Sequence, residues 1–233
     1  MKPYDKYWNI PPNVELALYF AKRHIAEFVC DAVNLEGINI TLPEVQTLLD
    51  GITVGGHKIN DQQIILNQAN AWRFLFEIIT NNTFEVSSEL SCIIHKIAAK
   101  EESLKWGEFR TGSVTISGTD YIPPKACLLS DLFNDMITQY KKFDDIYNQA
   151  IYVFLIMARY QFFYDVNKRM GRFMMNGLLL NEGYPAINVP AKRQLEFNQL
   201  MIDFYNTNNQ KPMNNFMRSC LDDRIIKIMK ENT

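Results

Sequence analysis

Glycine and proline are scarce, 10 and 9 in 233 residues. An all-β sandwich needs turn residues about every 8–12 positions, so that class is excluded and long helices are favoured. Neither sign of charge dominates: 24 Lys and Arg face 26 Asp and Glu, a formal net charge of −2. No whole-molecule field therefore draws the chain to nucleic acid or to an anionic membrane, and neither partner is expected. The four cysteines, Cys30, Cys92, Cys127 and Cys220, lie far apart, with no C-x-x-C pair and no His at ligand spacing. This argues against structural zinc and for buried free thiols in a reducing compartment. Long apolar runs are absent too. The longest, 151–163, is interrupted by Arg159 and is too short to cross a bilayer, so it reads as a buried core helix. Residues 1–13 hold no apolar run suited to a signal sequence, and a cytoplasmic location is the expectation.

What is present is apolar mass. Hydrophobic residues make up 47% of the chain and 15 of them are Phe, enough for one substantial core. Apolar residues recur at helical period over 14–33, and Thr41-Leu42-Pro43-Glu44 is a capping box that opens a short helix ending at Gly51. Asn60 and Asp61 cap a long pattern that runs through Ile79. Further helices are predicted over about 85–100, 128–140, 144–164, 169–182, 191–205 and 213–231. Only 110–124 departs from this period. There Val114, Thr115 and Ile116 are β-branched between flanking glycines and prolines, which predicts one β-hairpin. The fold class is mainly α with a single hairpin.

The segment 160–172, YQFFYDVNKRMGR, runs a long apolar helix into a short polar loop that opens another helix. Backbone N–H groups at the second helix's start, its dipole, and guanidinium groups at i and i+3, Arg169 and Arg172, can converge on one anion. Asp165 stands where a carboxylate could share Mg²⁺ with phosphate oxygens, and Asn167 could cap the helix and position the phosphate. Each residue also has an ordinary reading: Asp165 or Asn167 as a plain N-cap, the arginines as a solvated first turn, Phe162 and Phe163 as core. Trp72, Trp106 and Phe109 could line a pocket or belong to the core, and Asp144-Asp145 reads as a cap.

The loop resembles the Fic family signature H-x-F-x-[DE]-G-N-[GK]-R-x-x-R at Phe163, Asp165, Asn167, Lys168, Arg169 and Arg172. Upstream, 110–124 resembles the family's flap, which aligns a target peptide. Leu35-Glu36-Gly37 and the segment from Ile40 to Val45 resemble its inhibitory-helix region. The resemblance covers about 32–182, with 1–31 as an N-terminal helical extension and 183–233 as C-terminal helices packed on the core. It implies a helical bundle with a flap hairpin. It also implies an ATP–Mg²⁺ site built from Asp165, Asn167, Lys168, Arg169 and Arg172, AMP transfer to a hydroxyl of a target protein docked on Val114, Thr115 and Ile116, and a home in a bacterium.

The sequence departs from that pattern at Gln161, Val166 and Ala32, and has Lys168 where Gly is common. The family's His, which takes the hydroxyl proton, is Gln161 here. An amide can orient a hydroxyl but cannot accept its proton near neutral pH, so weak or lost transfer is expected. Val166 replaces a Gly and is expected to avoid a positive φ. Lys168 also occurs in the Doc branch, which phosphorylates its target. Glu36 matches the inhibitory Glu of [ST]-x-x-x-E-[GN] and is expected to pair with Arg172, although Ala32 stands where the motif has Ser or Thr. The rival readings are a phosphotransferase, a hydrolase that removes AMP with Glu36 positioning water, and a non-catalytic interaction module.

Overall fold

In a computed structural model of the chain, the described residues are 10–231. The first nine residues of the expected extension, and 232–233, lie outside them. Eleven α-helices occur among the described residues: α1 Val14–Arg23, α2 Ile25–Asn34, α3 Leu42–Leu49, α4 Ile59–Thr80, α5 Ser88–Ala98, α6 Leu129–Tyr140, α7 Ile146–Tyr160, α8 Asn167–Asn181, α9 Gln194–Thr207, α10 Lys211–Ser219 and α11 Asp223–Glu231. None is long and apolar enough to cross a membrane.

The centre of the bundle is the pair α7 and α8. Nearly every residue of α8 from Asn167 to Leu180 is buried, because α1, α4, α5 and α7 all pack on it. Such a helix has no polar outer face to show. Gly171 permits the close approach to α7, since a Cβ there would fall 2.9 Å from the carbonyl oxygen of Phe154. The C-terminal helices share this core, α10 against α7 and α11 against α1.

Two expected helices are divided. The pattern over 14–33 breaks at His24, whose Nδ1 lies 2.8 Å from the Phe20 carbonyl oxygen while its φ of −102° and ψ of 12° leave the helical region. The pattern over 213–231 breaks after Ser219, where Asp222 caps the next helix start with its Oδ1 on the Arg224 N–H at 2.8 Å. At α3 the Glu44 carboxylate reaches back to the Thr41 N–H at 2.8 Å, as the capping box requires. The expected cap at Asn60 and Asp61 is displaced: α4 begins at Ile59 after Lys58, with no side-chain cap.

The predicted hairpin is corrected: no strand forms among the described residues. The two ends of 110–124 are drawn together by one side chain instead of a ladder. The Arg110 guanidinium donates to the carbonyls of Gly112 at 2.7 Å, Pro124 at 2.5 Å and Gln161 at 2.6 Å. With both arms tied to one buried cation, β-branched residues alone do not bring the backbones into register. The expectation of buried thiols needs amending at Cys127, which is exposed, while Cys30, Cys92 and Cys220 are half-buried.

Candidate functional site

The loop joining α7 to α8 is bounded by two residues with left-handed backbone. α7 ends at Gln161, φ 52°, and α8 is entered through Val166, φ 65°. Val166 thus takes the positive φ it is expected to avoid, at a cost on the order of 1–2 kcal/mol. Its side chain is 3% exposed, and that apolar burial offsets the strain.

Polar side chains hold the loop from inside. Asn167 Oδ1 accepts from the Phe163 N–H at 2.9 Å, and its Nδ2 donates to the Phe163 carbonyl at 2.8 Å and to Gln161 Oε1 at 2.9 Å. Gln161 Nε2 donates to the Ala158 carbonyl at 2.6 Å, so its amide is committed at both ends. Asp165 Oδ1 accepts from the Val166 N–H at 2.6 Å.

Beneath the loop, His95 of α5 stacks on Phe163 with ring centroids 3.8 Å apart. Its Nδ1 accepts from the Gly107 N–H at 3.0 Å, which leaves Nε2 to donate to the Asp165 carbonyl at 3.3 Å. Burial pulls its pKa down to about 4, so it is neutral near pH 7. Both nitrogens are engaged and the ring is fully buried, so His95 does not replace the missing base. His57 is paired with Glu44 and His24 bonds within its own helix.

A cavity of about 410 Å³ opens over this loop. It is lined by Gln161, Asp165, Asn167, Lys168 and Arg169 from the loop and α8, by Glu36, by Thr115 and Ile116, and by Met201 and Tyr205 of α9. Two expected site residues stand apart: Val114 is half-buried and outside the lining, and Arg172 lies behind the cavity, 7% exposed.

The cations of the site already have carboxylate partners. Glu36 Oε1 lies 3.2 Å from Arg172 Nη2 and its Oε2 3.1 Å from Lys168 Nζ, which realises the expected Glu36–Arg172 pair and adds Lys168. Burial opposes ionisation of Glu36, yet Lys168, Arg172 and Arg169 outweigh it and hold the carboxyl below its ordinary value. Burial likewise works against the charge of Arg169, but Glu102 meets both its Nη atoms and holds the pKa above normal. For Arg172 burial wins, and the pKa falls.

Glu102 escaped sequence reasoning because Glu101-Glu102 looks like any solvated acidic pair. The α9 residues escaped it because an ordinary amphipathic helix carries no mark of the cavity it will face. The weaker candidates divide: Trp72 packs among Phe28, Phe76 and Phe173, and Phe109 among Phe133, Phe162 and Phe163, both as core, while Trp106 is 40% exposed. Asp145 caps α7, accepting from the Asn148 N–H at 2.9 Å.

Residues 85–179 match the Fic/DOC family. The protein adenylyltransferase Fic of Drosophila willistoni is 21% identical over 201 residues, covering 84% of this chain and 40% of that one. The chain thus spans about two fifths of the length of the curated relatives it matches. A Fic domain containing signaling protein from Bacteroides thetaiotaomicron superposes with a TM-score of 0.78 over 98% of this chain and 94% of that one, at 18% identity. Fic-1 from C. elegans gives 0.80 over 97% and 69%, at 17% identity. These structures share the fold.

Proposed function

We propose, from the match of residues 85–179 to the Fic/DOC family, that this chain binds nucleotide phosphates, those of ATP with Mg²⁺, in the cavity over the α7–α8 loop. AMP transfer to a protein hydroxyl is then the ancestral chemistry, weak or lost here. The observation that carries the reading is the one cavity lined by Gln161, Asp165, Asn167, Lys168 and Arg169 at the start of a buried helix. The dipole of α8 and its first-turn cations favour an anion at that point.

Mg²⁺ fits the donors present. No group of three His, Cys, Asp or Glu forms a metal cage among the described residues. Asp165 is exposed beside the cavity, and one carboxylate plus phosphate oxygens is a set that Mg²⁺ accepts. When bound, the ion would neutralise phosphate charge.

Glu36 restrains this site. A phosphate reaching Lys168 competes with a carboxylate that already pairs with it and with Arg172 behind the cavity, so removing Glu36 frees two cations. Gln161 keeps a hydroxyl oriented at most. Without a base there, the chain forgoes about 10²–10⁴ in rate. The segment around Thr115 and Ile116, which forms no strand of its own, has backbone groups to which a target strand can pair.

The test is calorimetric titration of ATP with Mg²⁺ into wild type, Glu36→Gly and Arg169→Ala, followed by mass spectrometry of each protein and of Gln161→His. Binding should tighten in Glu36→Gly and vanish in Arg169→Ala. An added AMP should accumulate faster in Gln161→His. An added phosphate would move the assignment to a phosphotransferase. Absence of binding in both wild type and Glu36→Gly would sink the nucleotide reading and leave an interaction module.

A further inference from the structure

Behind the loop, between α2, α4 and α8, lies a small void of about 20 Å³ lined by Ala32, Gln68, Trp72, Arg169, Arg172 and Asn188. Three of these residues carry polar atoms with no partner: Gln68 Oε1, Arg169 Nε, and both Nε and Nη1 of Arg172. All three are buried, with Gln68 1% exposed, Arg169 5% and Arg172 7%. Leaving such groups unsatisfied costs about 1–3 kcal/mol each, more where charge is involved.

The orientation of Gln68 is fixed. Its Nε2 donates to the Ala98 carbonyl at 2.8 Å, so rotating the amide would set oxygen against oxygen there and turn an NH₂ towards arginine N–H groups. Oε1 is therefore an unpaired acceptor among lining residues that also carry three unpaired donors. A protein void needs at least about 10–15 Å³ and two to four polar partners to hold a water. This one meets both conditions.

We propose that the void holds one structural water, which accepts from the Arg169 and Arg172 guanidinium groups and donates to Gln68 Oε1. Gln68 is then a positioning residue: through that water, α4 sets the planes of both arginines behind the anion site. Ala32 borders the same space and brings no polar side-chain atom to it. The inference rests on polar groups of the unliganded chain and survives even if no nucleotide binds.

A high-resolution crystal structure of the unliganded protein should show one water within hydrogen-bond distance of Gln68 Oε1 and of Nε or Nη1 of Arg172. A dry void, or Gln68 Oε1 bonded directly to a guanidinium, overturns the proposal. The isosteric pair Ala32→Thr and Ala32→Val removes overpacking from the comparison. Both displace the water, but only Thr returns an acceptor, so Ala32→Thr should melt about 4 °C or more above Ala32→Val. Equal melting, or Val the higher, overturns it. For the positioning role, the Nε–Hε resonances of Arg169 and Arg172 should shift in Gln68→Met while that of Arg218 stays in place. A lowered Tm with those two resonances unmoved would make Gln68 a packing residue only.

Discussion

Two buried arginines of this chain have opposite surroundings. Arg218, 2% exposed, is ringed by protein acceptors: its Nη2 meets Asp145 and also Asn148 Oδ1 at 2.8 Å, its Nε meets Asn214 Oδ1 at 3.0 Å, and its guanidinium lies 5.4 Å from the Tyr147 ring. Asp145 also caps α7, so this cluster ties α10 to the start of a core helix. Arg172 is nearly as buried, yet it has a single hydrogen bond to Glu36 at 3.2 Å, and its Nε and Nη1 have none. Burial alone therefore does not say what an arginine is for. The number of protein acceptors does: Nε and Nη2 of Arg218 are held by three side chains and make a structural tie, whereas the single carboxylate on Arg172 leaves bonding capacity for a ligand or a water.

Breaking the more heavily bonded side should cost most. Arg218→Met strands the Asp145 carboxylate in the core and should lower stability by about 3–5 kcal/mol in urea unfolding, with nucleotide affinity unchanged in the folded fraction. A drop below about 1 kcal/mol would reduce this cluster to an incidental contact.

Acid should separate the two regions next. His95, under the candidate site, takes its proton near pH 4 when folded and near 6.5 when unfolded. Between those values the unfolded chain binds more protons, so this contribution is complete above pH 6.5 and is lost as pH falls towards 4, by up to about 3 kcal/mol. Thermal melts against pH should show that loss in wild type and a flatter profile in His95→Gln. Equal slopes would remove His95 as the cause.

The smallest stability effect belongs to the side with the single carboxylate. In Arg172→Met, Glu36 keeps Lys168 as a partner, so the loss should be about 1–2 kcal/mol. Binding of ATP with Mg²⁺ should nevertheless fall by at least about tenfold, the equivalent of one charge-assisted hydrogen bond. Unchanged affinity would make Arg172 a second structural tie and erase the contrast.

Much of this was legible in the chain itself. The helical period of the apolar residues marks the segments that become α4, α6, α7 and α8, because burying one stripe is a local demand. The spacing of Asp165, Asn167, Lys168, Arg169 and Arg172 fixes which groups stand at the start of α8, because a helix places i and i+3 on one face whatever packs beside it. The break at His24 was not legible, since it depends on a ring nitrogen meeting its own helix. Nor was the absence of a hairpin at 110–124, where the propensity of Val114 to Ile116 for strand is overridden by the bonds of Arg110 to three carbonyls.

The sequence by itself determined a mainly helical bundle, the polar loop that opens α8, an amide and no titratable group at Gln161, and the placing of Glu36 upstream. Only the tertiary structure decided that Val166 would hold a positive φ, that Glu102 would take Arg169, that α9 would help wall the cavity, and that Gln68 would line one small space with both arginines. Each of these depends on contacts between residues tens of positions apart, whose partners are set by how the helices pack and not by local propensity.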